Sequence, residues 1–276
     1  MSVEEAALGA LQIQKYGMAQ AIELNSVRRG YDPREFTLLP IGGMGPAIAG
    51  LIAAELGIAR ILIPRDPGTF SAHGMLVTDV RQEKSVTRVT AMDDADPARL
   101  ESVFVQLEEA AVHDLLQERF ARERIVTRRQ AGMRYRGQSY EVPVEVPALT
   151  GPQALSDLIA RFHAAHQRRY GHMAQAEAVE IVNFQVTAIG LIPKPKPKKF
   201  AGSTRVLASP RALREVYFSA TEACDVPVWH RNDLSPGMHV DGPAVIEEKT
   251  STIVLYPEHR AQVDEYLNIE TEVARK

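Results

Sequence analysis

Gly42-Gly43-Met44-Gly45, followed by Pro46, carries the clearest chemical signal in this sequence of 276 residues. Without Cβ atoms, glycines let a backbone turn sharply and approach a ligand closely. Proline suits the first position of a helix, where its missing N–H costs nothing. A glycine turn that opens a helix presents free N–H groups and the positive end of the helix dipole, which favours an anion or a polar ring. The spacing is neither G-x-G-x-x-G nor G-x-x-x-x-G-K-[ST]. A tight strand-to-helix turn that binds nothing carries the same pattern.

The other residues suited to chemistry are more scattered. His73 falls in a segment expected to be a loop. Arg134 and Arg136 flank the Gly137-Gln138 turn, where they can hold a carboxylate or phosphate or simply point outward from a hairpin. His163 and His166 stand three apart on an expected helix, with His172 beyond it, and such a pair can share a metal. No H-E-x-x-H occurs and no Cys or Glu completes a ligand set, so no metal site is assigned. Neither Cys224 nor any Ser-His spacing gives a nucleophile beside a base, so no catalytic residue is assigned.

The elements that must position the glycine turn are legible around it. Leu38-Leu39-Pro40-Ile41 predicts a strand, Ala47 to Leu56 a helix stopped by Gly57, and Ile61-Leu62-Ile63 a second strand, followed by the turn Pro64–Gly68. This is a βαβ unit. Both strands are wholly apolar, which predicts a sheet covered on both faces.

Upstream, Ser2 followed by Glu5 is a capping box for a helix reaching about Val27. Downstream, Met75 to Thr90 alternates and predicts one or two strands. Asp96 caps a helix to about Arg124, with Glu101, Glu108 and Glu109 on a face expected to be solvated. Ile125 to Val146 reads as strand and hairpin, Ser156 to Tyr170 as helix, and Ala178 to Leu191 as a long strand. The Pro/Lys stretch 193–200 is a stiff linker of polyproline type, and short strands follow it. The expected division is a lobe at 1–192, the linker at 193–200 and a small β-rich module at 201–276.

Composition narrows the function. Hydrophobic residues make up 45% and charged residues 24%, enough for a packed core. A net charge of −3 argues against nucleic acid as a partner. One cysteine excludes internal disulfides. No apolar run reaches the roughly 20 residues of a membrane helix, and the acidic N-terminus lacks a signal-peptide core, so a cytoplasmic location is expected.

Several separated stretches resemble one family. F-T-L-L-P-I-G-G-M-G-P-A-I-A-G-L-I-A-A-E-L-G, P-G-T-F-S-A-H-G-M-L-V-T-D-V-R, M-R-Y-R-G-Q-S-Y-E-V, F-H-A-A-H-Q-R-R-Y-G-H and G-P-A-V-I-E-E-K-T-S-T-I-V are similar, in that order, to the hydantoinase A, 5-oxoprolinase and acetone/acetophenone carboxylase family. The resemblance implies an α/β, actin/hexokinase-like fold of the acetate and sugar kinase superfamily. It implies that Gly42, Gly43, Met44 and Gly45 form the adenosine side of an ATP site. The glycine- and threonine-rich phosphate loops of the family have no counterpart here. The resemblance therefore implies the C-terminal portion of such a protein, with the ATP phosphates and Mg²⁺ held by a partner chain carrying the N-terminal portion. It implies a subunit of a hetero-oligomeric ATP-dependent ketone carboxylase, because carboxylases are built from several chains. A cyclic-amide hydrolase subunit and a non-catalytic scaffold lobe are the alternatives. Gly17 and Met44 depart from the family pattern, which has an asparagine pair and a small residue at those places.

Overall fold

The computed structural model describes residues 2–201 and 209–273. Residues 202–208 and 274–276 of the expected C-terminal module lie outside them. The helices are α1 (Val3–Asn25), α2 (Gly45–Leu56), α3 (Phe70–Val77), α4 (Pro97–Gln117) and α5 (Ala154–Tyr170). The strands are β1 (Thr37–Leu38), β2 (Arg60–Ile63), β3 (Val80–Ala91), β4 (Ile125–Tyr135), β5 (Val142–Glu145), β6 (Val179–Gly190), β7 (Ala212–Tyr217), β8 (Ala223–His230), β9 (His239–Asp241), β10 (Ala244–Glu247), β11 (Thr252–Leu255), β12 (Arg260–Val263) and β13 (Ile269–Glu272). Together they make a mixed α/β fold of two compact units, Met1–Leu76 with Pro195–Lys276, and Val77–Lys194.

In the first unit, α1 is capped as its sequence predicts. The Glu5 N–H donates to Ser2 Oγ at 3.2 Å, and the Ser2 N–H donates to the Glu5 carboxylate at 2.7 Å. Lys15 of α1 meets Glu55 of α2 at 2.8 Å. Strands β1 and β2 run parallel on either side of α2, so the βαβ unit forms. Gly57 ends α2 in the left-handed region, at φ 68°, as a helix C-cap requires.

Two details differ from expectation. Strand β1 is only two residues long, because Pro40 has no N–H for a ladder and the glycine turn follows at once. Strand β2 is not covered evenly: Ile61 and Ile63 are buried while Arg60 is exposed.

The C-terminal strands close around this unit. One sheet runs β1-β2-β13-β12-β9, and a second runs β11-β10-β8-β7. The expected β-rich module thus shares a sheet with the βαβ unit, through the antiparallel pair β2–β13. The chain passes between its two units at Lys194–Pro195, inside the Pro/Lys stretch, and at Leu76–Val77. Ile48 and Ile52 of α2 pack into one buried core with Ile61, Ile63, Ile246, Ile253, Leu255 and Ile269.

The second unit is an antiparallel sheet ordered β3-β6-β4-β5, packed with α4 and α5 on Phe104, Phe162, Phe184, Leu115 and Leu158. Helix α4 stops at Gln117, short of Arg124, and Arg119 turns into positive φ at 67°. His73 and Met75–Val77, expected in a loop and a strand, belong to α3.

The solvated acidic face expected of α4 is corrected at two positions. Glu101 and Glu108 both reach the Arg129 guanidinium at 2.7 Å. Glu101 also accepts the Leu149 N–H at 2.8 Å, and Glu108 accepts the Thr127 hydroxyl at 2.6 Å. Burial opposes ionisation of both carboxylates, but these hydrogen bonds and the Arg129 charge outweigh it and hold both below the usual glutamate range. Among the described residues no helix is long and apolar enough to cross a membrane.

Candidate functional site

The glycine turn lies between β1 and α2. Gly42 adopts φ 84°, a conformation that a residue with a Cβ takes only under strain. No atom lies within 4 Å of the place its Cβ would take. The Gly42 N–H donates to the Pro67 carbonyl at 2.8 Å, which ties the turn to the segment after β2. At Gly43 the fit is tight, with the Thr250 carbonyl oxygen 3.2 Å from a built Cβ. Gly68 also faces Thr250, whose side chain fills the space a Cβ there would need.

Met44 ends the turn as the N-cap of α2 and makes no side-chain cap hydrogen bond. It is 54% exposed, so its thioether is free to meet a partner. Gly45 is the first residue of α2, and a Cβ there would meet Pro40 at 3.5 Å, an ordinary contact. The turn therefore offers an open backbone at Gly42, an exposed Met44 and the positive end of a twelve-residue helix, where Pro46 has no N–H and the Ala47 N–H already donates to the Met44 carbonyl at 3.1 Å.

Arg65, Asp66, Thr69 and Thr250 also line a polar cavity of about 640 Å³ that carried no clear signal in the sequence. Arg231, which follows β8, and Glu248, which follows β10, line it with Arg65, Asp66 and Asn232. Strands β8 and β10 are parallel neighbours, with His230 beside Glu247, so both residues leave the sheet at the same edge. Arg231 is only 8% exposed. Its Nη2 donates to the carbonyls of Pro64 at 3.1 Å and Leu267 at 2.8 Å. Its Nη1 and the Glu248 Oε1 are buried without any hydrogen-bond partner. Burial pushes Arg231 down and Glu248 up from their ordinary values, and each charge partly offsets the other's shift. The one sequence signal for this cavity was the E-E-K-T-S segment, which holds Glu248 and Thr250.

The remaining candidates find structural partners. Arg134 pairs with Glu180 at 2.7 Å and Arg136 meets Asp93 at 3.4 Å, so the arginines hold the hairpin to its neighbours. The Tyr135 hydroxyl meets His163 Nδ1 at 2.7 Å and accepts the Ala174 N–H at 2.9 Å. Both ring nitrogens of His166 are engaged, Nδ1 with the His172 carbonyl at 2.8 Å and Nε2 with Gln138 at 3.3 Å. The R-Y-R-G-Q and H-Q-R-R-Y-G-H segments thus meet in one network of side chains. Among the described residues no group of three or more His, Cys, Asp or Glu is arranged to hold a metal ion. Cys224 is exposed, and His73 lines a second cavity with Arg65, Lys196 and Lys198.

Known proteins resemble this chain in sequence and in fold. The chain is 38% identical over 265 residues to an uncharacterised protein of Methanocaldococcus jannaschii, covering 96% of this chain and 37% of that one. It is 30% identical over 270 residues to caprolactamase subunit alpha of Pseudomonas jessenii, covering 96% and 39%. The crystal structure of that ATP-dependent caprolactamase superposes with a TM-score of 0.74 at 29% identity, over 99% of this chain and 40% of the other. A nucleotide-free acetone carboxylase structure shares the fold, with a TM-score of 0.82 at 23% identity and the same coverage. The chain therefore spans about two-fifths of the length of the relatives it matches. Residues 1–84 match the hydantoinase/oxoprolinase family and residues 90–272 match the hydantoinase/oxoprolinase C-terminal domain; the chain belongs to the hydantoinase/oxoprolinase family.

Proposed function

We propose that this chain supplies the adenosine side of the nucleotide site in an ATP-dependent enzyme of actin/hexokinase-like fold. The observation that carries the reading is the turn at Gly42–Gly45, with open backbone at Gly42 and an exposed Met44 at a helix N-terminus. These residues fit a nucleoside. Gly42 leaves room for close approach, the Met44 thioether suits the face of a flat ring, and the positive end of the α2 dipole favours polar atoms. The turn itself contains no cation for the phosphates, so these and Mg²⁺ fall to a partner chain or segment that completes the cleft. The catalytic residues lie mainly on that partner.

ATP supplies a phosphoryl group that activates a carbonyl oxygen of the substrate. Cyclic-amide opening is the reading favoured here, because caprolactamase subunit alpha is 30% identical over nearly the whole chain. The ketone carboxylase preferred from the sequence rested on multi-chain construction. The caprolactamase relative is itself named a subunit, so that argument no longer separates the two. Ketone carboxylation stays as the second reading.

The test is to assemble the chain with its completing partner and follow ATP consumption with caprolactam, and separately with acetone plus bicarbonate. Consumption driven by the cyclic amide is expected. Consumption driven only by the ketone moves the assignment to the second reading, and no ATP dependence with any substrate contradicts both.

A further inference from the structure

The lysines of the Pro/Lys stretch fall into two kinds. Lys194 pairs with Asp79 at 2.7 Å and Lys199 with Glu265 at 2.6 Å, so each has a carboxylate of its own. Lys196 and Lys198 pair with no carboxylate among the described residues. They line a cavity of about 540 Å³ together with Arg65. Arg65 and Lys198 both stand over the Phe200 ring, 5.0 and 5.2 Å from its centroid, so cation–π attraction gathers charges that would otherwise separate. The backbones that present them are held. The Phe200 N–H donates to the Glu265 carbonyl at 2.8 Å and the Arg65 N–H to Asn268 Oδ1 at 3.1 Å, and alternating prolines stiffen the lysine run.

The charges lining this cavity do not balance. Asp66 is its one carboxylate, and it stands 3.7 Å from Arg65, too far for a hydrogen bond. Against it are Arg65, Lys196 and Lys198, an excess of positive charge in a chain whose net charge is −3. An anion relieves their mutual repulsion. A compact, doubly charged head suits cations gathered around one cavity. A phosphate monoester carries about −1.5 to −2 at pH 7 on three acceptor oxygens, and guanidinium and ammonium groups are its usual partners. A dicarboxylate divides its charge between two ends. Thr69 brings a hydroxyl to the same wall, and Phe70, Tyr266 and Pro64 make the rest of the lining apolar, which suits an organic group on the ester.

We propose that this cavity binds a small phosphate monoester, with Arg65, Lys196 and Lys198 donating to its phosphoryl oxygens and Phe70 and Tyr266 against its organic part. None of Gly42 to Gly45 lines this cavity, so this ligand is additional to the nucleotide at the glycine turn. Asp66 is the group that opposes the ligand's charge and limits its affinity. The volume of about 540 Å³ lies within the usual range for small-molecule sites.

The probe is phenyl phosphate, titrated into the full chain at pH 7.5 and low salt by ligand-observed NMR, with no ATP present. Binding is expected, with succinate at least about tenfold weaker. Lys196→Gln combined with Lys198→Gln should weaken phenyl phosphate at least about tenfold, because two charge-assisted contacts are lost. Arg28→Gln combined with Arg29→Gln makes the same change of net charge at exposed residues outside the cavity, and should leave the affinity within about twofold. Asp66→Asn should tighten binding about threefold, since it removes the opposing carboxylate. All of these side chains are exposed, so the variants should melt as the native chain does. No binding of phenyl phosphate, equal weakening by the lysine and arginine pairs, succinate bound as tightly, or displacement of phenyl phosphate by adenosine each overturns the proposal.

Discussion

The Thr250 carbonyl oxygen stands 3.2 Å from where a Cβ on Gly43 would sit. The glycine turn and the loop carrying Glu248 are thereby fitted against one another. Gly43→Ala should force that loop to give way, costing about 1 kcal/mol or more through overpacking. Gly45→Ala meets only an ordinary contact with Pro40 and gains helix propensity, so it should melt at or above the native temperature. Thermal melts of the two variants check this; equal destabilisation of both would contradict the packing described.

Arg129 is held between Glu101 and Glu108, with its own side chain 15% exposed. Arg129→Met should leave two partly buried carboxylates facing each other. The expected loss is about 2–4 kcal/mol, kept below the fully buried range because the site retains some solvent. Both carboxylates titrate below the ordinary glutamate value when folded. Their contribution is thus fully present above the unfolded value of about 4.3 and is lost as pH falls through the folded values. Denaturant midpoints at pH 7 and pH 3.5 should differ less in Arg129→Met than in the native chain, and an equal difference would count against this account.

His163 is held below its ordinary value, first by burial and then by the neighbouring His166. The folded state favours the neutral ring, which hydrogen-bonds the Tyr135 hydroxyl. Its contribution is complete above about pH 6.5 and is lost as pH falls through the lower folded value. Burial shifts His259 in the other unit the same way. Melting temperature should therefore fall between pH 7.5 and pH 5.5, and His163→Gln should flatten part of that slope. A slope unchanged in the variant would show that His163 does not carry it.

The surface beside α1 and β1 is strongly apolar. Met18, Tyr31, Phe36 and Leu39 are all exposed and border a groove of about 830 Å³. Contiguous patches of this kind mark interfaces. The purified chain should self-associate at micromolar concentration, and Phe36→Lys with Leu39→Lys should suppress this. A monodisperse monomer by sedimentation velocity would argue against the face being a covered surface.

What the sequence made legible was local. The capping box at Ser2, the βαβ unit around Gly42 and the left-handed stop at Gly57 each depend on neighbours within a few residues. Strands β12 and β13 escaped notice because Arg-Ala-Gln-Val and Ile-Glu-Thr-Glu are short and half charged, and become strands only by pairing with each other and with β2 and β9. Glu101 and Glu108 looked solvated because Arg129 lies twenty or more residues away. Arg231 and Glu248 carried no joint signal, since only the parallel pairing of β8 with β10 brings their strand ends together.

The central claim is that the Gly42–Gly45 turn lies under the adenosine of ATP, and Met44→Asp tests it most directly because it acts on the ligand and spares the fold. An aspartate at this helix N-terminus should complement the dipole and hold the melting temperature. The same carboxylate should repel the nucleotide's phosphates and crowd its ring. The measurement is the Kd for ATP of the assembled enzyme, by calorimetry, with Met44→Leu as the neutral control. The account predicts a Kd at least about tenfold higher in Met44→Asp, with assembly and melting intact. An unchanged Kd in that folded, assembled variant would contradict it and leave the turn as a link between strand and helix.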